Sequence, residues 1–143
     1  MVAGIVFWTR HAVPLLPHLE ELDRRGYCYY FLYTVVNYPR GIDPRSPSLA
    51  QAAGAIGELA CRVGRERIIW RYDPVILSRR LTHAWHRENF ARCLEALNGK
   101  ISKVIVSAVD PYRKTVRRLG DEGEGVVYNP SDYAALVVEL AGT

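Results

Sequence analysis

Apolar residues fall into short dense runs, separated by longer stretches in which they recur every three or four positions. Ala3-Gly4-Ile5-Val6-Phe7-Trp8-Thr9 is continuous and apolar, which predicts a strand buried on both faces. Pro14 suits the first turn of a helix, Leu15, Leu19 and Leu22 share one of its faces, and Gly26 after Arg24-Arg25 marks its end. Residues 27–36, dense in aromatic and β-branched side chains, predict a second strand. Pro39, Gly41, Pro44 and Pro47 then forbid regular structure, and the long loop they predict is of a kind that often carries function. Ser46-Pro47 opens the next helix, where Leu49, Ala52, Ala53, Ile56, Leu59, Ala60 and Val63 keep helical spacing up to Gly64.

Residues 67–72 read as a third strand and residues 101–109 as a fourth. Between them Thr82 caps a helix carrying Trp85, Phe90, Cys93, Leu94 and Leu97, stopped at Asn98-Gly99. Residues 112–119 fit a short basic helix and residues 125–128 a short fifth strand. Asn129-Pro130 opens a last helix with Tyr133, Leu136, Val137 and Leu140 on one side. Strands alternating with helix-length segments require right-handed crossovers and a mainly parallel α/β sheet. Two architectures satisfy that order: an open, flavodoxin-like doubly wound sheet, or part of a TIM-like β/α barrel, which needs about 250 residues when complete. At 143 residues, length alone favours the open sheet and a single domain over residues 1–143.

Composition narrows the picture further. Hydrophobic content of 49% excludes a disordered tail, and no stretch approaches the roughly 20 apolar residues that span a bilayer. The N-terminus lacks a basic region leading into an apolar one, so no membrane role and a cytoplasmic location are expected. Cys28, Cys61 and Cys93 are odd in number and far apart, which fits buried free thiols better than a disulfide framework or a metal clip. The net charge of +4 is uneven: eight arginines between positions 62 and 92 face only Glu66, Asp73 and Glu88. A basic central face of that kind attracts phosphate, nucleic acid or carboxylate, although a solvated helix surface is the commoner meaning.

Ligands of parallel α/β folds sit beyond the carboxyl ends of the strands, so the polar residues ending each strand are the candidates. Arg10, Asn37, Arg71, Asp73 and Asp110 are expected to converge there, with Arg113 and Lys114 just beyond. Within Trp70-Arg71-Tyr72-Asp73-Pro74, the arginine and the aspartate two positions on point to the same side of a strand. Arg71 then holds a ligand's negative group, with Arg10, Asn37, Arg113 and Lys114 as further ligand-binding residues, while Asp73 or Asp110 serves as the catalytic proton carrier. The plainer alternatives are an ion pair that ties down a loop and, for Asp110, a helix cap. His83 and His86 share a helix face at metal-compatible spacing, but no third ligand is near, and neither a Gly-rich phosphate loop nor a nucleophile elbow is present. Arg113-Lys114 with Arg117-Arg118, lacking interleaved aromatics, gives only a weak nucleic-acid signal.

Val6-Phe7-Trp8-Thr9-Arg10, Pro14-Leu15-Leu16-Pro17-His18-Leu19, Tyr29-Tyr30-Phe31, the run from Ile69 to Ser78 and Val109-Asp110-Pro111-Tyr112-Arg113-Lys114 occur in order. In these segments, covering about residues 2–118, the chain resembles the prokaryotic family catalogued as domain of unknown function 1848. The resemblance implies a β/α barrel and, from the family's C-terminal cysteine cluster, an iron–sulfur site comparable to that of radical S-adenosylmethionine enzymes. The chain departs from the pattern in having His11-Ala12 where Asn-Pro is usual, in lacking an upstream Arg-containing segment, and in stopping before a cysteine cluster. The expectation is therefore a truncated or divergent member, a partial barrel whose chain encodes no cofactor ligands of its own. An enzyme-derived domain with a small polar or anionic ligand is the leading expectation. The alternative is a binding or assembly module using a basic face for nucleic acid or protein. A partial barrel also leaves a sheet edge and an apolar interior open, which a second copy, a partner chain or the C-terminal helix from Asn129 onward is expected to cover, a homodimer being the simplest case.

Overall fold

In the computed structural model, which describes residues 4–109, 125–127 and 129–143, four of the apolar runs form one sheet. Its strands are β1 (Ile5–Thr9), β2 (Tyr29–Thr34), β3 (Ile68–Val75) and β4 (Lys103–Ala108). All three pairings are parallel and the spatial order is β1-β2-β3-β4, the order of the chain. Doubly wound sheets reverse their order where the helices change faces, and these strands show no such reversal. The fold is thus an α/β arrangement of alternating strands and helices around a four-stranded parallel sheet.

Side-chain alternation gives the sheet two unlike faces. Register aligns Phe7 with Phe31 and Ile68, and Thr9 with Tyr33 and Trp70, so these side chains share one face. That face is buried: Phe31, Tyr33, Ile68, Trp70 and Tyr72 are sealed against the helices. On the other face Val6, Trp8, Tyr30 and Ile105 remain exposed beside Leu32, Ile69, Arg71 and Asp73. The second strand is therefore not uniformly buried, although its apolar density gives no sign of this.

Three of the described helices build most of the covering layer. Helix α2 (Leu49–Val63) starts at Ser48, whose hydroxyl accepts from the Gln51 N–H while the Gln51 side chain accepts from the Ser48 N–H. This capping box moves the start beyond Ser46-Pro47, the cap expected from the sequence. Its buried Ala52, Ala53, Ile56 and Leu59 keep the predicted spacing. Helix α3 (His83–Leu97) is capped by Thr82 as expected, and lays Phe90 on Trp70 in a stacked pair with centroids 4.8 Å apart. Helix α4 (Pro130–Ala141) packs Tyr133, Leu136 and Leu140 inward, with Asn129 as its cap.

Several expectations need correction. The helix expected from Pro14 is a 3-10 turn (Val13–His18) leading into the short helix α1 (Leu19–Arg24), because Pro17 cannot donate within an α-helical ladder. β3 runs three residues beyond Tyr72, past a register irregularity between Tyr72 and Val75. Gly125–Val127 form no strand: the Val127 N–H instead donates to the Leu77 carbonyl at 2.8 Å. The rest of that expected strand, Tyr128, and the expected helix over residues 112–119 lie outside the described residues. Cys93 is buried, but Cys28, just before β2, and Cys61, on the outer side of α2, are exposed free thiols.

Candidate functional site

The parallel register brings the ends of β1, β2 and β3 together, and with them Trp8, Arg10, Thr34, Arg71 and Asp73. Arg71 and Asp73 alternate out of β3 onto the face that no described helix covers, where an Arg71 Nη atom lies 2.8 Å from an Asp73 carboxylate oxygen. The pair is mostly sheltered, with side chains 11% and 17% exposed. The Trp8 ring lies against the guanidinium, 3.8 Å from its central carbon to the ring centroid, and the indole N–H donates to the Thr34 hydroxyl at 3.3 Å. Such stacking attracts a cation to the ring quadrupole while leaving the in-plane N–H groups pointing elsewhere. One of them, Arg71 Nε, is buried and donates to no group among the described residues. An adjoining cleft of about 380 Å³ is lined by Trp8, Thr9, Arg10, Thr34, Asp73 and Pro74.

Arg10 reaches this mouth but is tethered: its guanidinium pairs with Asp43 and donates to the Ser46 hydroxyl at 2.8 Å, which fastens the loop between β2 and α2 to the end of β1. Asn37 sits in the left-handed region at φ 54°, a conformation its short amide side chain tolerates. Its Nδ2 donates to Asn89 Oδ1 of α3 at 2.7 Å, so the amide faces the helices and not the Arg71–Asp73 pair. Asp110, Arg113 and Lys114 lie outside the described residues. The eight arginines of residues 62–92 are spread over α2, β3 and its two ends, and α3. Arg65 and Arg67 precede β3 while Arg79 and Arg80 follow it.

A buried polar network missing from the sequence reading holds the mouth in place. Trp70 Nε1 donates to the Val35 carbonyl at 2.8 Å and Asn89 Nδ2 to the Val36 carbonyl at 2.7 Å. The Tyr38 hydroxyl donates to the Pro74 carbonyl at 2.7 Å and accepts from the Ile76 N–H at 2.9 Å. His86 is fully buried. Its Nε2 meets the Ile76 carbonyl at 2.9 Å, which can only accept, so Nε2 carries the proton and Nδ1 accepts from the Tyr72 hydroxyl at 2.9 Å. Burial pushes the His86 pKa below its ordinary value and raises those of Tyr38 and Tyr72. All three groups are therefore neutral, as their hydrogen bonds require. His86 is a core residue, and its helix neighbour His83 instead meets Glu139 of α4 at 3.1 Å.

The iron–sulfur cluster implied by the resemblance does not fit these cysteines, which lie before β2, on α2 and on α3. Among the described residues, no three His, Cys, Asp or Glu side chains are grouped to hold a metal ion. No helix among them is long and apolar enough to cross a membrane. With the geometry established, comparison with known families gives one match, to the model described as "Domain of unknown function (DUF1848)", over residues 1–141. No curated protein and no solved structure matches the chain.

Proposed function

The chain belongs to the DUF1848 family, and we propose that it binds a small polar or anionic ligand at the carboxyl ends of its parallel strands, as an enzyme-derived domain shaped like part of a β/α barrel. The observation that carries this reading is the Arg71 guanidinium, stacked on Trp8, paired with Asp73 and left with a buried Nε–H that has no acceptor among the described residues. A buried donor without a partner is costly, and a carboxylate or phosphate oxygen entering the adjoining cleft satisfies it. In this arrangement Arg71 fixes the negative group and Asp73 orients the ligand or accepts its proton, with Arg10 at the rim. Asp110, Arg113 and Lys114 follow β4 in the chain and complete the proposed set. Free thiols in place of disulfides support a cytoplasmic setting.

Thermal-shift screening of small organic acids and phosphates, with Trp8 fluorescence as a second readout, tests the proposal. A hit should raise the melting temperature and perturb emission in the native chain. Both effects should vanish in Arg71→Ala, and the fluorescence change should vanish in Trp8→Phe. Shifts that survive Arg71→Ala with the fold intact refute a site at this mouth.

The sheet face that no described helix covers favours a second reading, assembly. Val6, Trp8, Tyr30 and Ile105 expose apolar surface on that one face, while among the described residues β1 and β4 each pair on only one side. Four parallel strands are half of the eight in a closed barrel, so a second copy is the simplest cover. Light scattering should then show a dimer that Val6→Glu converts to a monomer; a wild-type monomer at high concentration removes this reading.

A further inference from the structure

A second cleft, of about 750 Å³, opens on the helical side of the sheet, between the 3-10 turn after β1, the loop before α2 and α2 itself. Tyr33 forms its floor. β2 places this residue on the covered face, so its ring projects from the sheet into the helical layer, with the hydroxyl as its outermost atom. The side chain is fully buried; the hydroxyl oxygen faces the Ala12 N–H, and the phenolic proton has no acceptor among the described residues. Burial also holds that phenol protonated, and so able to donate.

Around this donor the loop gathers cations. Arg10 and Arg40 are engaged with Asp43, Ser46 and the Pro44 carbonyl, which fixes the loop. Arg45 makes no hydrogen bond or ion pair among the described residues, and the His11 ring is equally without a partner. The acidic residue left over is Glu58, seven positions beyond Gln51 on α2 and so about 10 Å further along the helix. The cleft is thus cationic at its loop end and acidic at the other.

We propose that this cleft is a second ligand site, which takes a small molecule bearing an oxyanion, either carboxylate or phosphate, held by Arg45 and accepting the Tyr33 hydroxyl proton in a hydrogen bond. It is separate from the Arg71–Asp73 mouth, although Arg10 borders both. The two sources of the anion are distinguished by titrating the full chain calorimetrically with inorganic pyrophosphate and with citrate. At least one probe should bind. Arg45→Ala, at an exposed position, should weaken it tenfold or more; Tyr33→Phe, which removes one oxygen from a packed ring, should weaken it several-fold; and Arg71→Ala should leave it unchanged. Absence of binding by both probes overturns the proposal, as does binding that Arg45→Ala and Tyr33→Phe leave intact. Binding lost in Arg71→Ala but kept in Arg45→Ala overturns it too, and assigns the probe to the strand mouth.

Discussion

Arg71 and Asp73 face each other at 2.8 Å with little access to water, and that geometry fixes what their removal should cost. Breaking a fully buried ion pair by deleting one partner costs about 3–5 kcal/mol, because a charge is left uncompensated. Here the residual exposure lets water reach both groups, so Asp73→Ala or Arg71→Met should each cost about 2–3 kcal/mol. For a chain of this size that is roughly 6–10 °C in melting temperature. Trp8 stacking on Arg71 survives the loss of Asp73, which puts Asp73→Ala at the lower end. The double variant leaves no orphaned charge, so it should lose less than the two singles together, with a coupling of about 1–3 kcal/mol. Urea unfolding followed by far-ultraviolet circular dichroism measures all four species. Single losses under about 0.5 kcal/mol that simply add would mean that the two groups do not interact across the mouth, and the account of the site would fail.

Asn89→Ala strips the Val36 carbonyl of its donor and the Asn37 amide of its acceptor. It should cost about 2–4 kcal/mol by the same unfolding assay, and a loss below 1 would show that the network does not hold the loop. His86 has a pKa depressed by burial, so the unfolded chain binds a proton that the native chain refuses. Stability should accordingly decline as pH falls below about 6.5, the unfolded value, and level off once pH drops under the native one. Melting curves between pH 8 and pH 5 test this, and a flat profile contradicts it. Burial raises the Cys93 thiol to about 12, whereas Cys28 and Cys61 are exposed. A thiol reagent should therefore titrate two groups quickly and the third only on unfolding; three equally fast thiols would contradict the packing of α3 on the sheet. Ser48→Ala, which removes the α2 capping box, should cost about 1 kcal/mol, and an unchanged melting temperature would show the cap to be idle.

Alternation of apolar runs with helical periods was enough to give four parallel strands and their order of succession, because each strand is short, dense and bounded by turn residues. The spacing of Arg71 and Asp73 was equally legible, since two positions on a strand always share a face. Other features depended on tertiary pairing that a single sequence does not print. Trp8 is one apolar residue in an apolar run, and it becomes a stacking partner only once β1 lies beside β2 and Arg71 emerges two strands away. Asn89 and His86 occupy a helical face shared with Phe90 and Cys93, and their buried hydrogen bonds exist because the chain after β2 turns back under α3. Asn37 ends the second strand as expected, yet a left-handed backbone turns its amide toward the helices. Tyr33 reads as core, and only the missing acceptor for its hydroxyl distinguishes it.

In the proposed site Arg71 is the group that receives the ligand, and the side-chain N–H signals of the arginines report on that directly. In nitrogen-edited NMR spectra of the full chain, with the Arg71 Nε–H resonance assigned by its loss in Arg71→Lys, dicarboxylates and inorganic phosphate can be titrated one at a time. A bound anion should move that resonance strongly downfield and slow its exchange with water. If ligands bind while the Arg71 signal stays fixed and only other arginines respond, the strand mouth is not where this protein holds them.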